Sequence, residues 1–182
     1  MKEKFKTISI LLLGLLLFGL VGCGSDKTAD KKNPPTNQEY YDYLTERYNY
    51  YFNNSDLDTN YDVFLDNFTY DVSYDEFITV YNDDYGQLKR NLEAFKSDLE
   101  NNVIKGNDEV DKYNQEMITA TDKAIIAVDD YIGSFGEKAK DYATLSKDEV
   151  VKGLRSLTLD AHNARLDLKN LYDDAKDKLG IK

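Results

Sequence analysis

The sequence predicts an all-α fold, an antiparallel three- to four-helix bundle over residues 38–182. Three observations predict it. Apolar residues recur at spacings of three and four along stretches tens of residues long. Ser-x-x-Glu capping signals head two of these stretches. Both prolines, Pro34 and Pro35, precede them, so none breaks a long helix further on.

Residues 1–22 are not part of that bundle. Lys2, Lys4 and Lys6 outweigh Glu3 in a short basic head, and an apolar stretch follows from Ile8 to Val21. This is the pattern of a signal peptide. At about 14 residues the apolar run falls short of the roughly 20 that a membrane-spanning helix needs.

The sole cysteine, Cys23, comes directly after it in Leu20-Val21-Gly22-Cys23-Gly24-Ser25. This segment resembles the lipobox of bacterial lipoproteins, with an apolar residue three before the cysteine and a small one immediately before it. The resemblance implies that the Cys23 sulfur takes up a diacylglyceryl group, that the Gly22–Cys23 bond is cut, and that Cys23 becomes the lipidated terminus. The residue types suit that chemistry. Gly22 leaves the backbone open to a protease, and a thiol is the side-chain nucleophile best able to form a thioether. Two acyl chains, at about 0.8 kcal/mol per buried methylene, anchor stably where one binds marginally. The protein is therefore expected on the extracytoplasmic face of the cell membrane. Its high Lys, Asn, Asp, Tyr and Ile content, with few Arg, no Trp and Gly24 after the cysteine, is similar to the usage of AT-rich Gram-positive bacteria.

Cys23 opens a linker, residues 23–37, that contains both prolines and no large apolar side chain. Such a stretch cannot bury enough surface to offset the entropy of ordering, so it reads as a flexible tether. Fully extended, residues 24–37 would span about 45 Å at roughly 3.3 Å per residue.

Removing the leader takes away three lysines and one glutamate, which leaves 20 basic and 33 acidic side chains and a net charge of −13. A surface of that sign repels nucleic acid and anionic lipid. The partners expected are the membrane, through the lipid, and an envelope protein or wall polymer.

The first helix of the bundle is expected from Gln38 to Phe52. It is crowded with tyrosine: eleven of the chain's fifteen lie between Tyr40 and Tyr85. Tyr40, Tyr41 and Tyr43 form a candidate platform for stacking on wall glycan. Packing is the simpler use, since a tyrosine ring can bury against a bundle while its hydroxyl reaches water.

Asp56, Asp58, Asn60 and Asp62 alternate as the oxygen ligands of an EF-hand loop do. The likeness to a calcium site stops there. Tyr61 stands where the sharp turn needs glycine, and Asn67 where a bidentate glutamate belongs.

Three long helices follow. The Ser73–Glu76 capping box precedes a stripe of Phe77, Tyr81, Leu88, Leu92, Phe95 and Leu99 that ends near Gly106. Asn107 or Asp108 starts the next, whose stripe runs through Val110, Tyr113, Met117, Ala120, Ala124, Val128, Tyr131 and Phe135 and is weakened by Gly133 and Gly136. The Ser146–Glu149 box opens the third, with Val150, Leu154, Leu157, Ala161, Ala164, Leu168, Leu171 and Ala175 alternating by four and three. Helices of about 30 residues would be near 45 Å long, and the short connections favour packing within one chain over an intermolecular coiled coil.

Catalytic chemistry is scarce in this composition. Once lipidated, the chain has no thiol, and His162 is the sole histidine, which removes Cys-His catalysis and a three-histidine zinc site. No Gly-x-Ser-x-Gly elbow or glycine-rich phosphate loop occurs. The expected function is a non-enzymatic interaction or structural module without a cofactor. The alternative is binding of calcium or wall glycan, and a cell-wall hydrolase is the remote reading.

Overall fold

A computed structural model describes residues 33–52 and 74–182. Within them the protein is all-α. We number the helices α1 (Asn37–Tyr51), α2 (Tyr74–Asn101), α3 (Asp108–Tyr142), α4 (Lys147–Asp173) and a single turn, α5 (Ala175–Lys178). The three long ones pack antiparallel as the sequence predicts. Cys23, the Asp56–Asp62 segment and the Ser73 cap lie outside the described residues, as do the Phe77 and Tyr81 side chains.

The side-chain register fixes the directions. Lys89 meets Asp129 at 2.5 Å and Lys96 meets Asp122 at 2.6 Å, so numbers rise along α2 as they fall along α3. The Tyr113 hydroxyl donates to the Leu171 carbonyl at one end of the α3–α4 pair, and Tyr142 lies against Gly153 at the other. α1 runs antiparallel to α2, its Tyr43 hydroxyl donating to the Asp98 carbonyl at 3.0 Å and its Tyr51 carbonyl accepting from Asn91 at 3.0 Å.

α1 reaches only the half of the bundle that holds the α2–α3 turn. There it bridges α2 and α4: Tyr48 stacks on Tyr172 with ring centroids 3.6 Å apart and also packs edge-on against Phe95. This end is a four-helix bundle.

The core follows the predicted stripes closely in α2 and α3. Leu88, Leu92, Phe95 and Leu99 are buried, as are Val110, Tyr113, Met117, Ala124, Val128, Tyr131 and Phe135. Two features differ. α3 continues through Gly133 and Gly136 to Tyr142, because burying Tyr131, Phe135 and Tyr142 outweighs the roughly 1 kcal/mol that each helical glycine costs. In α4 the buried line is Val150, Leu154, Thr158, Ala161, Arg165 and Leu168, while Leu157, Ala164 and Leu171 are only partly buried beside it. The stripe is thus rotated so that a threonine and an arginine occupy the centre.

Both are accommodated by local bonds. The Thr158 hydroxyl donates to the Leu154 carbonyl at 2.9 Å. The Arg165 Nε donates to the Ala161 carbonyl at 3.1 Å, and its guanidinium lies 5.7 Å from the Tyr85 ring centre, within cation–π range.

Helix starts obey the capping rules. The Ser146 backbone N–H and hydroxyl both donate to the Glu149 carboxylate, at 2.9 and 2.6 Å, as the sequence predicts. A matching box, Thr36-x-x-Glu39, opens α1: the Thr36 N–H donates to Glu39 at 2.8 Å and the Glu39 N–H to the Thr36 hydroxyl at 3.2 Å. Its signal was present in the sequence, with Thr36 in the expected tether and Glu39 in the expected first helix.

Candidate functional site

Among the described residues, the tyrosine-rich face of α1 and the outer groove between α3 and α4 bear most directly on binding.

On α1, helical spacing places Tyr40, Leu44 and Tyr48 on one stripe, followed by Phe52, and all four are buried. The Tyr40 hydroxyl donates to Asn114 Oδ1 at 3.1 Å, and Asn114 Nδ2 donates to the Leu99 carbonyl at 3.0 Å. A chain of bonds therefore ties α1 to α3 and α3 to the end of α2. Beside this line Asp98 of α2 is a hub. Its carboxylate accepts from the Tyr51 hydroxyl at 2.9 Å and from Asn102 at 3.0 Å, and it lies 3.6 Å from the Arg47 guanidinium.

Burial keeps these hydroxyls protonated. Desolvation, followed by the Asp98 charge, pushes Tyr43 up to about 12. Burial and the bond to Asp98 do the same for Tyr51, also to about 12. Tyr40 and Tyr113 are raised by burial as well.

This placement decides how the predicted glycan platform can be used. A sugar stacks on an open ring face, and Tyr40 is 1% exposed. Tyr43 is half-buried with its hydroxyl bound to Asp98, and Tyr41 is half-buried against the core. The three residues do not form a continuous exposed surface. Tyr50 is the open ring of this helix, 73% exposed, with the Arg47 guanidinium 5.5 Å from its centre.

The second place is a cleft of about 730 Å³ along α3 and α4. Ala120, Ala164 and Leu171 line it together with Lys112, Lys123 and Asp167. A second hollow of about 380 Å³ shares Lys123 and carries on past Ala127 and Leu157. Small alanines and charges of both signs border it. Such a lining, with Lys112, Lys123 and Lys178 against Glu116, Asp167 and Asp174, holds no strong field of one sign.

His162, the sole histidine, is half-buried on α4 and is not among the residues lining either hollow. Among the described residues no three or more acidic, histidine or cysteine side chains converge as a metal site would require. None of the described helices is long and apolar enough to cross a membrane.

The residues that hold the α1 face together, Asn114 and Asp98, are polar positions that hydrophobic periodicity passes over. Compared with known protein families, with curated proteins and with solved structures, the chain matches none.

Proposed function

We propose that the protein is a lipid-anchored module on the extracytoplasmic face of the membrane, whose helical bundle contacts other envelope components without catalysing a reaction. The observation that carries this reading is the Leu20-Val21-Gly22-Cys23 segment behind a basic and apolar leader. Export supplies its second support: a lone cysteine in an exported chain has no internal disulfide partner and is accounted for by lipidation.

The form of the domain fits contact work. Its polar groups at α1 are spent on fixing helices to one another, through Asn114 and Asp98. Its strongly acidic composition keeps it from adsorbing to the anionic polymers and lipids around it, so binding would depend on a specific complementary surface.

Cys23→Ala tests the anchor. The variant is expected to stay unprocessed or to appear in the medium, and to take up no labelled fatty acid. Continued lipid labelling of the variant would overturn the reading. Retention of the wild-type chain on purified wall polymer, or its co-purification with an envelope protein, would identify the class of partner.

A further inference from the structure

We infer that the outer face of α3 and α4 is where a second copy of this chain docks, the two α3 helices lying antiparallel about a two-fold axis beside Ile126. This goes beyond the anchoring reading and stands without it.

On α3, Lys112, Glu116, Lys123, Ile126, Asp130 and Asp141 are exposed and separated by three, four, seven or eleven residues, so they share one stripe of the helix. All but Asp141 line the two hollows between α3 and α4. Their charges are not spent within the chain. On another side of the same helix Asp122 and Asp129 are held by Lys96 and Lys89 of α2. By contrast Lys112, Lys123, Asp130 and Asp141 join no ion pair among the described residues. Ile126, midway along the stripe, is an apolar side chain left 55% exposed.

The order of these charges is complementary to its own reverse. An antiparallel α3 of a second copy, centred between Ile126 and Ala127, sets each Lys123 opposite Asp130 and each Lys112 opposite Asp141, with the apolar pair at the axis. α4 adds to both contacts. Asp160 lines the hollow that holds Asp130, and Lys178 lines the one that holds Lys112. Glu116 then faces Glu137, a like pair that Lys112 and Lys138, within a turn on either side, offset. Neighbouring registers are worse. Sliding the second copy by seven residues sets Lys123 against its own counterpart in one direction and Asp130 against its own in the other. Two copies of a chain this acidic repel overall, so the register that pairs both lysines with acids decides whether they associate. The stripe is about 45 Å long at 1.5 Å per residue. With α4 about 8–10 Å beside it, the face is large enough for the roughly 800 Å² per partner that a stable pair buries.

The full chain as the cell makes it, in detergent with micelles in excess over protein, tests this by sedimentation equilibrium. The wild type should dimerise below hundreds of micromolar. Lys123→Asp or Asp130→Lys alone opposes like charges at both symmetric contacts and should weaken association at least tenfold, with circular dichroism still helical. In an equimolar mixture of the two variants the reversed charges meet each other, as do the unchanged ones, and association should return. Lys112→Asp and Asp141→Lys repeat the test at the outer contacts. A wild type that stays monomeric at hundreds of micromolar, single variants that associate as the wild type does, or mixtures that stay apart would each overturn the docking face. None of these outcomes bears on the anchor, which labelling of Cys23→Ala tests separately.

Discussion

Asn114 shows how much one buried polar residue carries. It accepts from the Tyr40 hydroxyl and donates to the Leu99 carbonyl, and no water is needed to complete either bond. Asn114→Ala should lower unfolding stability by about 2 kcal/mol, because it leaves two buried groups without partners. Tyr40→Phe in the same background should add less than it does alone, and additive losses in urea unfolding would mean that the two are not coupled. Glycines give a second contrast. A Cβ on Gly153 would meet the Tyr142 ring at 2.9 Å, whereas one on Gly133 or Gly136 meets nothing within 4 Å. Gly153→Ala gains roughly 1 kcal/mol of helix propensity but overpacks a buried ring at about 1–3 kcal/mol, so the net is destabilising. Gly133→Ala keeps the gain alone and should raise the melting temperature. Both positions read alike in the sequence, as glycines inside a helical pattern, and only the neighbouring helix tells them apart.

At the scale of the element, the helix starts respond to acid and the α1 interface to alkali. Hydrogen bonds from Thr36 hold the Glu39 carboxyl below its ordinary 4.5, and those from Ser146 do the same for Glu149. A depressed carboxylate contributes stability above its unfolded value and loses it as pH falls through the folded one. Amide-exchange protection in the first turns of α1 and α4 should therefore weaken below pH 4.5, ahead of the helix middles. Uniform loss along the helices would count against the caps. The tyrosines act in the opposite sense. Tyr43 and Tyr51 are raised from 10 to about 12, so their contribution is full below pH 10 and is lost as pH rises through about 12. Tyrosinate absorbance should show a group titrating well above pH 10 together with the release of α1, and a single titration near 10 would contradict the docked face. The periodicity made the helices legible as elements, and the Ser146 box was legible too. The rotation of α4 was not, since Thr158 and Arg165 look like surface residues until Tyr85 is placed over one of them.

Across the whole molecule, the sequence by itself determined the helical class, the antiparallel order of the long helices and the candidate lipid-bearing cysteine. Each of these is written in local signals: spacing of apolar residues, capping boxes, absence of proline, and a short motif that a processing enzyme would read on an extended chain. Tertiary structure decided the rest. It buried Tyr40 and left Tyr50 open, although both are tyrosines of one helix. It moved Pro34 and Pro35 from the expected tether onto the Gly106 turn, which fixes the end at which the chain enters. It also put Arg165 in the core, 1% exposed. The physical reason is common to all three. Helix formation depends on residues a few positions apart, but which face is covered depends on partners tens of residues away, and a linear pattern does not contain their placement.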